Sequence, residues 1–473
     1  MKKYLITAIS AVFLFSCEVS EDLNRDQKNP TVVPGSSLFT NAARNLFDLM
    51  NDPSSNSHVT RLYAQYWAQT TYPDESQYNQ VTRNNSGDIW NTLYRDVLQD
   101  LRGAREVLIE EEASNLQNKL AIIDMLEVYS YSVLVDSFGD IPYSEAVDFE
   151  NATPTFDDAA TVYTSILETL DSAIASMNGG TGFSSIQDPI YNGDMTKWKK
   201  AALSLKLRLA MRLADVNPAL SQQKAEEAAS QALIVENSDN FGIQYLGSAP
   251  NTHPLWVTLV QSGRSDFVGA DTFIDVLNDL EDPRRAYYFD ELNGEYVGGV
   301  YGSANSPASS SNIDNMLKQP DLLGTIISSS EVHFLLAEAA ARGYAVGGTA
   351  ESFYESGISQ SFMEWGATQE ELDTYLALPN VSYATADGDW DKKIATQKWI
   401  ALYNNPYEGW TTWRIFDQEA ITLKAPEGMT EADIPVRYIY PLSEATLNGE
   451  KLAAAADAIG GDSASTKVFW DVN

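Results

Sequence analysis

From Phe156 to Met177 the chain reads FDDAATVYTSILETLDSAIASM, with apolar positions recurring at helical spacing. Val162, Ile166, Leu170, Ala173 and Ile174 share one face, with Glu168 and Asp171 opposite, which predicts an amphipathic helix. Pro154 and Thr155 precede it, and Asp157 and Asp158 suit its positive N-terminal end. Residues 116–138 predict a second long helix, stopped by Gly139 and followed by Pro142. Together the two predict an antiparallel helical hairpin. The segment MTKWKKAALSLKLRLAMRLADVNPAL, from Met195, has leucines and methionine pointing almost all round the helix. Such a helix is buried on most sides. Its Lys206, Arg208 and Arg212 must then reach water along their stems or pair with carboxylates. Pro218 marks its end, and Gln222 begins a partner helix.

Residues 328–344 and 349–366 form another predicted pair, with Gly343, Gly347 and Gly348 as breakers. Helix pairs of similar size, with small Ala and Gly at their contacts, predict an all-α fold of tetratricopeptide-like stacked helical hairpins. The period is too irregular for a clean repeat. Long irregular segments at 241–262, 287–317 and 379–391 are rich in Gly, Ser, Asn, Asp and aromatics. Within the second, Tyr287–Phe289 and Glu295–Val297 flank Asn293-Gly294, which predicts a small β-hairpin insert.

Charge and the N-terminus narrow the class. The 473 residues carry 66 acidic and 31 basic side chains, a net charge of −35, which argues against nucleic-acid binding. Lys2 and Lys3 precede an apolar run from residue 5 to 15, then Ser16 and Cys17, the only cysteine. That run is short of the roughly 20 residues a membrane-spanning helix needs, and the pattern is that of a secretory signal peptide. In one reading Cys17 is an ordinary residue of a discarded peptide. In the favoured one it becomes the mature N-terminus and carries acyl chains, giving a signal peptide at 1–16, a lipidated tether at 17–30 and a single domain at 31–473. A lone cysteine excludes an internal disulfide and a CxxC metal site.

A series of strings then resembles one family. They are EDLNRDQKNPT after Cys17, LVDSFGDIPYSEA from Leu134, IYNGDMTKWKKAALSLKLRLAMR from Ile190, DPRR from Asp282, EVHFLLAEAAARG from Glu331, KWIALYNNPYEGWTTWR from Lys398 and IPVRYIYPLSEATLN from Ile434. In this order, behind a lipoprotein signal, the chain resembles the SusD/RagB family of outer-membrane lipoproteins of Bacteroidetes. The resemblance implies a lipid-anchored, surface-exposed, non-catalytic glycan-binding subunit. Such a subunit passes oligosaccharides to a SusC-like TonB-dependent transporter barrel; a RagB-type peptide receptor is the alternative. It also implies that the acidic Glu18, Glu21 and Asp22 act as an export signal.

Most of these strings have structural readings. Gly139 stops a helix, Asp140 caps neighbouring backbone, Asp282 and Arg284 form an internal ion pair, and Trp399, Trp410 and Trp413 pack in the core. The candidate site comes instead from chemistry. A sugar ring stacks its C–H face on an aromatic plane and offers hydroxyls to polar partners. Residues 63–85 hold Trp67 and Tyr72 as platforms, Asp74 and Glu75 as acceptors, and Tyr78 and Arg83 at the edge; core burial of Trp67 is the competing reading. Trp256, and the loop carrying Tyr296, Tyr301 and Asn305, are further candidates. With no dense Lys/Arg cluster in any loop, the expected ligand is a neutral glycan such as a β-glucan. A helical glycoside hydrolase is the rival class, but no carboxylate pair stands out. His58, His253 and His333 are scattered, His333 reads as a core histidine, and no HExxH, GxSxG or phosphate-loop motif is present. No cofactor or metal is expected.

Overall fold

The computed structural model describes residues 33–54 and 58–472. The expectations for the signal peptide, Cys17 and the tether fall on earlier residues, outside those described. The principal helices are α1 (Gly35–Asn51), α2 (Gln99–Glu110), α3 (Leu116–Phe138), α4 (Ala159–Ser176), α5 (Met195–Arg212), α6 (Pro218–Ala229), α7 (Asp271–Asp279), α8 (Ser329–Ala341), α9 (Ala350–Glu364), α10 (Trp390–Ala401) and α11 (Pro406–Ala420). Among the described residues there are also shorter helices and four short strands: β1 (Trp67–Gln69), β2 (Phe241–Gln244), β3 (Phe267–Gly269) and β4 (Leu323–Ile327).

α3 and α4 pack as the expected hairpin. Gly139, at φ 84°, ends α3, and the Asp140 carboxylate accepts from the Ala159 amide at 2.9 Å as α4 begins. Asp158 caps α4 through the Thr161 amide. The face carrying Val162, Ile166, Leu170, Ala173 and Ile174 is buried. α8 and α9 form the second expected hairpin and approach closely at a glycine. A Cβ on Gly357 would stand 2.8 Å from the Phe334 ring, so only glycine admits this approach. Pro218 proves to open a helix rather than close one. It occupies the first turn of α6, where its missing N–H costs nothing, and Asn217 caps it.

α5 crosses the middle of the molecule and is buried along most of its length. Its cations find carboxylates, as an all-round apolar helix requires. Lys206 meets Asp171 and Glu227, both at 2.6 Å. Arg208 holds Glu331 with two bonds of 2.6 and 2.7 Å. Arg212 lies 2.5 Å from Glu408 and 3.3 Å from Asp136. Burial works to raise the Glu408 carboxyl, but Arg208 and Arg212 outweigh it and hold it below the usual range. Asp282 and Arg284, fully buried, pair at 2.6 Å, and Trp399, Trp410 and Trp413 are core residues.

The expected β-hairpin is reduced to its turn. Asn293 and Gly294 adopt positive φ, and Leu292 and Glu295 exchange hydrogen bonds across them. The flanks go elsewhere: Tyr288 closes a short helix against Tyr403 and Trp365, and Phe289 bridges to Ile313. The strands that do form pair at long range, β1 with β3 and β2 with β4, both antiparallel. Among the described residues no helix is long and apolar enough to cross a membrane, and no cluster of three or more His, Cys, Asp or Glu is placed to hold a metal ion.

Candidate functional site

β1 and β3 pair Gln69 opposite Phe267, and the chain leaving β1 and the chain entering β3 build facing walls of a cavity of about 460 Å³. Gln69 organises the first loop from beneath. Its Nε2 donates to Glu75 Oε2 at 2.6 Å and to the Tyr72 carbonyl at 3.0 Å, while its Oε1 accepts from the Ser76 amide and hydroxyl. Tyr72 is thereby held at φ 50°, a conformation unfavourable for a non-glycine residue, with its side chain 67% exposed at the rim. Glu75 is buried and pairs with Arg83, which lines the cavity.

The opposite wall comes from residues 253–266. The His253 ring accepts the Leu255 amide at 3.0 Å and starts a turn of helix through Trp256 that runs on as a π-helix, Val257–Gln261. Thr258 and Ser262 from this segment face the same space. Arg264 then forks onto Asp266 at 2.6 and 2.8 Å, and this hydrogen-bonded contact raises the guanidinium pKa. Thr70 ties the two loops together by donating to the Ser265 carbonyl at 2.6 Å. The cavity thus offers one exposed ring, two guanidinium groups, hydroxyls and a carboxylate.

Of the expected site residues, Tyr72 and Arg83 line the cavity and Glu75 orients Arg83 from behind. Trp67 does not reach it. The residue is fully buried in β1, with its Nε1 donating to Tyr403 Oη at 2.9 Å and the Arg61 guanidinium 4.5 Å from its ring. Core packing therefore holds the ring that was expected to serve as a platform. Tyr301 is likewise buried, against Tyr78, and burial pushes both phenols well above their usual range. Asn305 is a loop brace whose Nδ2 donates to the Gln69, Val300 and Ser303 carbonyls. Asp74 and Trp256 are half-buried neighbours of the lining, and Tyr296 lies half-buried beneath Arg285, outside it. Sequence reasoning missed Gln69, Thr258, Ser262, Arg264 and Asp266. The one available signal was the SGRSD string, which begins at the end of the irregular segment 241–262.

A family model described as SusD-like, starch-binding associating with outer membrane, matches residues 27–441. A solved chitin-binding protein superposes with a TM-score of 0.80 at 26% identity, covering 93% of this chain and 99% of its own. A chitin-binding SusD homologue from Flavobacterium johnsoniae gives 0.77 at 26%, covering 93% and 98%. A SusD homologue from Bacteroides ovatus gives 0.79 at 26%, covering 92% and 99%. No curated protein matches significantly.

Proposed function

The chain belongs to the SusD-like family of starch-binding, outer-membrane-associating proteins, and on that premise we propose that it is a cell-surface lipoprotein that captures neutral oligosaccharides at the Tyr72 cavity. In this reading it is anchored through Cys17, cleaves nothing, and hands its cargo to a SusC-like TonB-dependent transporter. The observation that carries the capture step is the juxtaposition of the exposed Tyr72 ring with the polar set of Thr71, Thr258, Ser262 and Asp266. A pyranose can lay its C–H face on the ring and direct its hydroxyls to those groups.

Charge supports a neutral ligand. Arg83 is matched by Glu75 and Arg264 by Asp266, so the cavity has no surplus cation to attract a uronic or sulfated chain. The relatives that bind chitin make β-linked N-acetylglucosamine oligomers the first ligand to test, with β-glucans second. Binding without turnover fits the lining, where Asp266, already paired to Arg264, is the single carboxylate among the described residues.

Titration calorimetry of the purified protein against N-acetylglucosamine and cello-oligosaccharides tests the proposal. Tyr72→Ala is expected to weaken binding by about 1 kcal/mol or more, roughly five- to tenfold, with an unchanged melting temperature. Absence of binding to both series at millimolar concentration sinks it, as does release of reducing ends from a bound chain.

A further inference from the structure

A second cavity, of about 620 Å³, opens between the first turn of α10 and the end of α11 and shares no lining residue with the Tyr72 cavity. Two rings line it, Trp390 and Phe416, with centroids 6.3 Å apart and planes at 79°. The Arg342 guanidinium lies 5.3 Å from the Trp390 ring and is held there by Asp215 at 2.7 Å and Glu338 at 3.0 Å. Trp390 therefore packs against a guanidinium that is itself fixed by two carboxylates.

The end of α11 shapes the opposing wall. Asp417 sits at φ 60° and ψ −176°, breaking the helix after Phe416. Gln418 then locks the returning chain by accepting the Trp413 Nε1 proton at 2.9 Å and bonding both backbone groups of Leu423. Beyond Lys392 and Ala420, which line both spaces, lies an adjoining cavity of about 440 Å³. Val276, Leu280 and Ile421 give it apolar lining, and Asn380 and Thr396 give it polar edges. The two together form a groove rather than a pit.

We propose that this groove is a second saccharide site, which takes oligosaccharides of amine-bearing hexoses such as glucosamine. The rings and apolar lining suit the C–H faces of pyranoses. The charges select among sugars. Both cations lining the larger cavity are already matched, Arg342 as above and Lys392 by Asp387 at 3.2 Å. Asp389, Asp391, Asp417 and Glu419 line it in addition. The side chain of Asp389, at the N-cap of α10, makes no capping hydrogen bond. A sugar ammonium meets this surplus favourably, and a uronate is repelled. The choice of a saccharide over a basic peptide rests on the glycan-binding reading above; the location of the groove does not.

Calorimetry of the purified protein with glucosamine tetramer, N-acetylglucosamine tetramer and tetralysine tests the assignment. Glucosamine tetramer should bind wild type and Tyr72→Ala alike. It should bind at least about tenfold more weakly to Trp390→Ala and to the double variant Asp389→Asn/Asp391→Asn. The double variant replaces two exposed carboxylates and guards against a folding defect in Trp390→Ala, with melting temperature as the control. Added salt should weaken the interaction. Unchanged affinity in both groove variants overturns the proposal, as does equal binding of tetralysine or loss of glucosamine binding in Tyr72→Ala. Loss of N-acetylglucosamine binding alone in Tyr72→Ala supports two separate sites.

Discussion

Trp67 and Tyr72 lie five positions apart in a stretch that reads evenly as aromatic and polar, yet one is core and the other surface. What separates them is β1, which ends at Gln69 and carries Trp67 inward before the chain emerges. Trp67→Ala is expected to lose about 3 to 5 kcal/mol of stability, seen as a large fall in melting temperature, whereas Tyr72→Ala changes binding only. The buried histidines set a pH dependence. Burial, with Arg61 nearby, lowers the pKa of both His58 and His253 to about 3. The unfolded chain takes up these protons near pH 6.5, and the folded chain does not until about pH 3. Stability contributed by the neutral rings is therefore complete above the unfolded value and falls as pH drops through this window. At about pH 4.5 each histidine costs the fold about 2 to 3 kcal/mol. Glu127, raised to about 7 by burial against the pull of Arg105, acts in the opposite sense. The measurement is thus the difference in urea stability between wild type and His58→Gln/His253→Gln, which should reverse in favour of the variant as pH falls.

At the scale of elements, hydrophobic periodicity located α3, α4, α5, α8 and α9 to within a few residues, because helical spacing is a local property. The all-round apolar pattern of α5 also foretold that its cations need buried partners. Which partners was not legible: Asp136, Glu331 and Glu408 come from α3, α8 and α11, far apart in sequence. Glu408→Gln removes the carboxylate between Arg208 and Arg212 and is expected to destabilise by about 3 to 5 kcal/mol, measured by chemical denaturation. A variant as stable as wild type would show that the buried charges are satisfied without it. The β elements were read least well. The Asn293-Gly294 turn is local and was found; strands that pair across about 200 positions, as Trp67 does with Gly269, leave no local trace.

For the whole molecule, a net charge of −35 makes anionic surfaces unfavourable partners, so retention at a membrane must come from elsewhere. Cys17→Ser is expected to move the protein from the membrane to the soluble fraction and to remove acyl mass from its N-terminus. A variant that stays membrane-bound would overturn the anchoring proposal. The two cavities lie on different elements, one between the loops after β1 and before β3, the other between α10 and α11. Each is built by segments that the chain brings together only when the helices have stacked.

The sequence by itself determined the helices, their buried faces, the need for internal ion pairs and, through ordered strings along most of its length, the family. The helices, faces and ion pairs follow from spacing, capping and composition, which act between near neighbours, and the family from the resemblance of those strings. Tertiary structure alone decided that Trp67 packs inward and Tyr72 outward, and that Arg264 and Asp266 face Arg83. It also decided that Trp390 meets Phe416 over a surplus of carboxylates. Those relations depend on distances between segments far apart in the chain, and these distances are set only by packing of the assembled core.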